Sequence, residues 1–414
     1  MARKEGGRAQ PEPHAQETGV ITPIVITLAV QSMVSLIAVS VPVFMPVASE
    51  ALQFKASLVG IFVSLIYIGA TISAPLSGYF VNRLGPIGVS QICLLLSGVG
   101  LACFYWATIP WMVIGTLIIG FGYGPVTPAS SHLLVKTTPP HVMSMVFSIK
   151  QTGVPLGGVL AGGIVPHLVI FFGWRASALI VAGSSIALML LMEPYRHRYD
   201  QYVSGNARFS LKSLLAPVHM ALTQRDLRPV VLASFFFATM QLCFISFIVT
   251  YLIEDIGMTL VRAGIMLSAA QFAGILGRIF WGTLADRVLS PRLMLGLLGI
   301  AMACASFVTT LFTSGWPHSA VLLVCIFFGA VAIGWNGVYL AEVARVVKPE
   351  LAGLATGGSL FFTFLGVLVG LPLFSMLVDT TDSYQIGFLC TAVVTLIYGL
   401  VLCFSRRPCR RHSS

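Results

Sequence analysis

Charge is what this sequence has least of. Asp, Glu, Lys and Arg make up 9% of its 414 residues, against about 25% in an ordinary soluble domain. So little charge excludes a water-soluble globule of this length, and 57% hydrophobic residues with a mean hydropathy of +0.92 point to a polytopic membrane protein. Acid is scarcer than base, with 14 Asp and Glu against 24 Lys and Arg. The net charge of +10 would suggest a nucleic-acid partner in a soluble chain. Here the basic residues lie between apolar runs, where they act as topology signals, so no nucleic acid is expected. Catalytic patterns are missing as well: there is no HExxH, no GxSxG and no paired carboxylates, and Gly120-Phe-Gly122-Tyr-Gly124 imitates a nucleotide loop inside an apolar run. The eight cysteines show no CxxC or Cys/His ligand spacing. Seven of them, Cys93, Cys103, Cys243, Cys304, Cys325, Cys390 and Cys403, fall in apolar runs, and Cys409 falls in a polar tail. Neither disulfides nor a metal is implied, and no enzyme activity or cofactor is expected.

What is present is a series of twelve apolar runs. They fall at about Val20–Ala48, Ser57–Val81, Gly88–Ala107, Trp111–Val135, Ser144–Ile170, Trp174–Met192, Pro229–Ile253, Val261–Ala285, Leu293–Thr313, Ser319–Ala344, Leu351–Leu377 and Tyr384–Phe404. Each approaches the ~20 residues needed to cross a bilayer. The expectation is an all-α integral membrane protein of twelve transmembrane helices in two six-helix pseudo-symmetric bundles, 20–192 and 229–404. A disordered tail (1–19), a cytoplasmic linker (193–228) and a basic tail (405–414) complete the plan. The run after the first tail is too long for a signal-peptide core, so the first span is expected to remain uncleaved. Placing both termini in the cytoplasm puts 19 of the 24 Lys and Arg inside and leaves Lys55, Arg175 and Arg262 outside, with Lys150 and Arg278 within spans. The linker holds Phe209, Leu211, Leu214, Leu215 and Val218 among basic residues, which suits either an interfacial helix or a solvated connection.

Across the linker the chain repeats itself. Gly78-Tyr-Phe-Val-Asn82-Arg83 matches Gly282-Thr-Leu-Ala-Asp286-Arg287, Gly120–Lys136 has the length of Gly329–Arg345, and Pro140–Gly157 parallels Pro349–Gly366. Two six-span halves joined by a cytoplasmic loop is a transporter plan, with the binding site near the midplane between the repeats.

The G-x-x-x-(D/N)-R endings, the twelve spans and the basic central loop resemble the major facilitator superfamily of secondary transporters over nearly the whole chain. That resemblance implies alternating access by rocking of two bundles; a monomer suffices for it, and the expected location is the plasma membrane, a bacterial inner membrane. The chain departs from the family's drug–proton antiport patterns. Thr116 occupies the usual span-four arginine position, and Gly153-Val-Pro155-Leu-Gly157-Gly158 is near GPxxGG without matching it. A span-eight arginine paired with a lysine is similar to the monocarboxylate and oxalate:formate transporters.

Arg278 and Lys150 are the candidate substrate residues. An ionised side chain within a span costs about 3 kcal/mol or more and usually has a functional partner. Gln271, Gly274, Arg278, Gly282 and Ala285 recur at helical spacing and form one polar stripe expected to face the pore, with Ile275, Leu276, Ile279 and Phe280 turned away. Lys150 shares a face with Gly153 and Gly157, and both cations lie about 10 Å from the cytoplasmic ends of their helices. The acids all map to tails, loops or span ends, Glu342 being the deepest. Two cations at one depth without an acid are matched by a small organic anion, a carboxylate held by the arginine fork and the lysine charge. The rival readings are an arginine bonded to carbonyls and a lysine whose stem snorkels to the headgroups. Gln151, Gln31, Tyr123, Gln241, Gln271, Trp335 and Asn336, with Tyr67 and Tyr339, are expected around the cavity, although helix packing explains each equally well. Asn82, Arg83, Asp286, Arg287, Glu342 and Arg345 are expected to form the inner gate. The expected activity is uptake of the anion with protons. Efflux of neutral or amphipathic drug-like compounds is the alternative within transport, and a signalling receptor or a membrane enzyme the alternatives outside it.

Overall fold

In lipid every backbone N–H and C=O must find its partner within the chain, so long apolar runs become helices. The computed structural model describes residues 21–139, 143–200, 219–220, 222–347 and 352–405. Among them, eleven helices are long and apolar enough to cross a membrane. The α-helices are α1 (Ile21–Leu52), α2 (Val59–Ser73), α3 (Ser77–Ala102), α4 (Ile109–Tyr123), α5 (Val126–Thr137), α6 (Met143–Gln151), α7 (Gly153–Leu191), α8 (Glu193–Tyr199), α9 (Arg228–Glu254), α10 (Leu260–Arg287), α11 (Pro291–Thr309), α12 (His318–Ala332), α13 (Asn336–Val346), α14 (Ala352–Thr381) and α15 (Tyr384–Phe404).

The breaks follow from residue type. At Gly173 the backbone turns to φ +78°, a left-handed value that glycine adopts freely, and divides the 39 residues of α7 into 153–172 and 174–191. Undivided, that run would be nearly 60 Å long, about twice the hydrocarbon thickness. Gly85, at φ +81°, divides α3 in the same way. A further pair of breaks obeys the sequence repeat. Gly124-Pro125 separates α4 from α5, and 333–335 separates α12 from α13. When Gly120 is set against Gly329, the two interruptions fall at the same place.

Within the first half of the chain α1 packs on α7, and α4 on α2 and α3; within the second, α9 packs on α14, α10 on α12, and α11 on α15. The halves meet chiefly where α7 packs on α10 and α2 on α14, with α9 lying against α1 and α2 as well. Along α7 and α10 the backbones approach where Gly162 and Gly264 face one another, and Ser268 Oγ donates to the Val159 carbonyl at 2.9 Å. The contact between α2 and α14 runs from Tyr67–Phe364 to the segment before α2, where Ser375 Oγ donates to Ser57 O at 2.7 Å and Lys55 Nζ lies 3.6 Å from Asp379 Oδ1. That end opens into a vestibule of about 580 Å³ whose wall includes Glu50, Lys55, Glu254, Asp255, Asp379 and Asp382. We call it the acidic face. Since α1 ends there and α15 begins there, the start of α1 and the end of α15 lie at the opposite, terminal face.

Of the expected linker, α8, Asp200 and residues 219–220 and 222–228 are described. The Asp200 carboxylate accepts from Ile87 N and Gly88 N, both at 2.9 Å, and so caps the segment of α3 that follows Gly85. The stretch from Phe209 to Val218, most of both expected tails and Cys409 lie outside the described residues.

Candidate functional site

The helical period of α10 sorts its residues as expected. Phe272, Leu276, Ile279 and Phe280 are each more than half exposed, on the flank that contacts lipid in a bilayer, whereas Gln271 and Gly274 are buried and Arg278 is half-buried. Ile275, expected to turn fully away, is half-buried. Gly274 packs on Ile333, so the stripe faces the α12–α13 break as well as the pore.

Arg278 binds two carbonyls from opposite halves of the chain. Its Nη1 donates to Gln151 O at 2.8 Å, and its Nε to Ile333 O at 3.1 Å. The Gln151 carbonyl is open to it for a reason written in the sequence. The helical partner four residues on is Pro155, which has no N–H. Ile333 follows the last residue of α12, where helix carbonyls lose their partners. A guanidinium carries five N–H donors, and these two bonds use two of them. The carbonyl-bound reading of Arg278 is therefore realised, with donors left over.

Lys150 ends the last full turn of α6 and is 1% exposed. Its stem does not snorkel: Nζ is buried, and among the described residues it meets no hydrogen-bond partner. Neither cation joins an ion pair there either. The pairs present are Lys55–Asp379, Arg196 with Glu193 and Asp200, and Glu342 with Arg292 and Arg345.

Between the halves lies a cavity of about 50 Å³, walled by α1, α2, α4, α7, α9, α10 and the α12–α13 break. It is large enough for a few waters. Tyr67, Tyr123, Gln241, Ser246 and Gln271 supply most of its polar wall, and Ile333 and Val154 line it too. Arg278 reaches the wall residue Ile333 through that residue's carbonyl, and Val154 lies one turn beyond Lys150. Both cations thus sit at the terminal-face end of the cavity, beneath mainly apolar walls.

The remaining expected residues form a scaffold around it. Thr127 Oγ1 donates to Gln31 Oε1 at 3.2 Å, and Asn336 Nδ2 donates to Gln241 Oε1 at 3.3 Å. The internal repeat carries Thr127 onto Asn336 and Gln31 close to Gln241, so one interhelical bond recurs in both halves. Trp335 is completely buried and its Nε1 donates to the same Gln241 oxygen at 2.9 Å. It stands behind the wall. Trp335, Asn336, Gln31, Lys150, Gln151 and Arg278 are not among the residues lining the cavity itself.

Among the described residues, the members of the expected inner gate fall into separate groups. Glu342, wholly buried, accepts from Arg345 Nε at 2.8 Å and lies 3.4 Å from Arg292 Nε, and Arg292 also donates to Asp226 O. That cluster braces α9, α11 and α13 within the second half. Arg287 is exposed, Asn82 is half-buried, and the exposed Arg83 donates to Tyr79 Oη at 2.9 Å. The Asp286 side chain lies outside the description. Sequence reasoning overlooked Arg292, because charge counting had assigned it to topology, and Ser246, whose Oγ is buried at the cavity wall without a hydrogen-bond partner. Nothing local marks either one. The freed Gln151 carbonyl was readable from Pro155.

Comparison with known proteins gives low identity over long spans. The hexuronate transporter of Bacillus subtilis (strain 168) is 21% identical over 396 residues, 88% of this chain and 89% of the relative. The benzoate transport protein of Acinetobacter baylyi is 23% identical over 379 residues, 83% and 80% of the two chains. Multidrug resistance protein 1 of Bacillus subtilis (strain 168) is 24% identical over 372 residues, 86% and 89%. These relatives are transporters, not enzymes. The model of the Major Facilitator Superfamily matches residues 25–357, four-fifths of the length, and this chain belongs to that superfamily.

Proposed function

We propose that this protein is a secondary active transporter that carries a small organic anion, a carboxylate, across a bacterial inner membrane. It works by alternating access between bundles 20–192 and 229–404, as a monomer with both termini in the cytoplasm. The division of α7 at Gly173 supports counting twelve crossings, and the basic residues on the terminal face support that face as the cytoplasmic one. The observation that carries the substrate class is the pair of cations. Arg278, bonded to the carbonyl of Gln151, and Lys150, the residue before it, lie at one end of a cavity between the halves, and no described carboxylate neutralises either. A carboxylate entering there would accept from the remaining Arg278 donors and from Lys150 Nζ. Because Arg278 binds carbonyls from both halves, an anion drawing on it would also weigh on the contact that rocking has to remake. Protons are the proposed coupling ion, travelling with the substrate, since among the described residues no carboxylate lines the cavity to carry them. The inner gate is assigned to the terminal-face residues Asn82, Arg83, Asp286, Arg287, Glu342 and Arg345.

Efflux of neutral or amphipathic drug-like compounds is the second reading. It draws on the apolar cavity walls and on the multidrug resistance relative. It leaves the two buried cations without a role. Uptake into proteoliposomes separates the two readings. The anion reading expects a panel of carboxylates to be accumulated by the parent protein and lost with Arg278→Ala or Lys150→Ala. Undiminished carboxylate uptake by either variant refutes the site, and accumulation of neutral drugs instead favours efflux.

A further inference from the structure

The cavity constrains the rest of the substrate as well as its charge. Resting on the anion reading, we infer that the transported anion is a monocarboxylate with a compact apolar body, aromatic by preference, and not a polyhydroxylated sugar acid.

The charge is confined to one end. Arg278 and Lys150 lie at the terminal-face end, and among the described residues no Asp, Glu, Lys or Arg lines the cavity above them. A single anionic head is thereby placed, and a second one at the far end of the molecule would meet no cation. The polar atoms of the wall are largely engaged with the protein. Ser35 Oγ donates to Val154 O at 2.6 Å, and Gln241 Oε1 accepts from both Trp335 and Asn336. A sugar acid carries a hydroxyl on nearly every carbon, and each one left without a partner in a closed cavity loses what it had in water. Few atoms are left for that many groups: Ser246 Oγ has no partner among the described residues, whereas the Tyr67 and Tyr123 hydroxyls already bond to one another.

The apolar wall suits the opposite kind of body. Val39, Val63, Ile66 and Ile245 come from three helices and face one space. Tyr67 brings an aromatic edge to it, with its ring centroid 6.0 Å from Tyr123 and 6.1 Å from Phe364, within the range in which rings attract one another. A flat ring carrying one carboxylate would place its head at the cations and its body between these side chains once they part to admit it, since the closed cavity of about 50 Å³ holds only a few waters.

The test uses the purified full-length protein and four probes: benzoate, cyclohexanecarboxylate, glucuronate and benzyl alcohol. Benzoate and cyclohexanecarboxylate should bind at least roughly tenfold more tightly than glucuronate, as expected when one ligand fills an apolar wall and the other leaves hydroxyls unpaired. Benzyl alcohol, which lacks the charge, should not bind measurably. Ile245→Ala should weaken benzoate roughly tenfold and leave acetate, which has no body to contact the wall, unchanged. Acetate binding also reports that the variant is folded. Glucuronate binding as tightly as benzoate, or Ile245→Ala weakening acetate and benzoate alike, overturns this inference. The anion reading survives that result if Lys150→Met still abolishes glucuronate binding. If benzyl alcohol matches benzoate, or no anion binds, the anion reading fails and this inference fails with it.

Discussion

Lys150→Met should make the empty protein more stable and the anion nearly unable to bind. The substitution keeps an unbranched, flexible chain of similar length and removes the charge. In the parent the ammonium is buried at 1% exposure without a hydrogen-bond partner among the described residues. An uncompensated buried charge is strongly destabilising, by several kcal/mol, so replacing it with an apolar chain should raise the unfolding temperature of the ligand-free protein by a few degrees. Binding moves the other way. A carboxylate about 4 Å from Nζ, at an effective dielectric of about 20, gains about 4 kcal/mol. At roughly 1.4 kcal/mol per decade that attraction is worth almost a thousandfold in Kd. Desolvation of the incoming anion offsets part of it, so the expected loss is between roughly thirtyfold and a thousandfold. Thermal unfolding with and without benzoate, combined with direct binding measurements, reads both effects on one sample. A variant less stable than the parent that still binds the anion within a few-fold of the parent affinity would refute the reasoning, because Lys150 would then be a packing residue with an unseen partner.

Further expectations follow from the same geometry. Arg278→Lys should slow transport at least roughly tenfold while the protein remains folded, since an ammonium lacks the planar fork that reaches both Gln151 O and Ile333 O. Counterflow in proteoliposomes measures it, and parent-like exchange rules out a role for the bridge. Gly60→Leu should hold the acidic face open. A side chain there meets Ser375, Phe247 and the Leu371 carbonyl, and a cysteine introduced at Ser57 should label faster with a membrane-impermeant thiol reagent than it does with Gly60 intact. Burial, reinforced by Glu254 and Asp382, pushes the Asp255 carboxyl from 3.8 up to about 6. An acid whose pKa is raised on folding has its cost relieved at low pH, and it destabilises progressively as pH rises from about 4 through about 6. Asp255→Asn should therefore raise the unfolding temperature above pH 6 and leave it nearly unchanged below pH 4; a lower unfolding temperature at neutral pH contradicts this assignment.

By itself the sequence determined the class of the protein. Apolar runs of about 20 residues can satisfy their backbones in lipid only as helices, a local requirement that needs no knowledge of neighbours. Its repeat set Gly120–Lys136 against Gly329–Arg345, and the structure then showed both stretches interrupted at the same place, at Gly124-Pro125 and at 333–335. Arg278 and Lys150 stood out for the same reason: their cost arises from the medium, and the medium was evident from composition. The tertiary structure decided what each of them meets. The carbonyl that Arg278 binds lies 127 residues away in the chain, and the withdrawal of Trp335 behind the cavity wall depends on Gln241, 94 residues distant. Likewise, Glu342 pairs with Arg345 beside it in the sequence and also with Arg292 on another helix, a partner that only packing supplies. A charge declares its need for a partner in the sequence, but which partner it finds depends on how helices far apart in the chain pack, and helical periodicity carries no record of that.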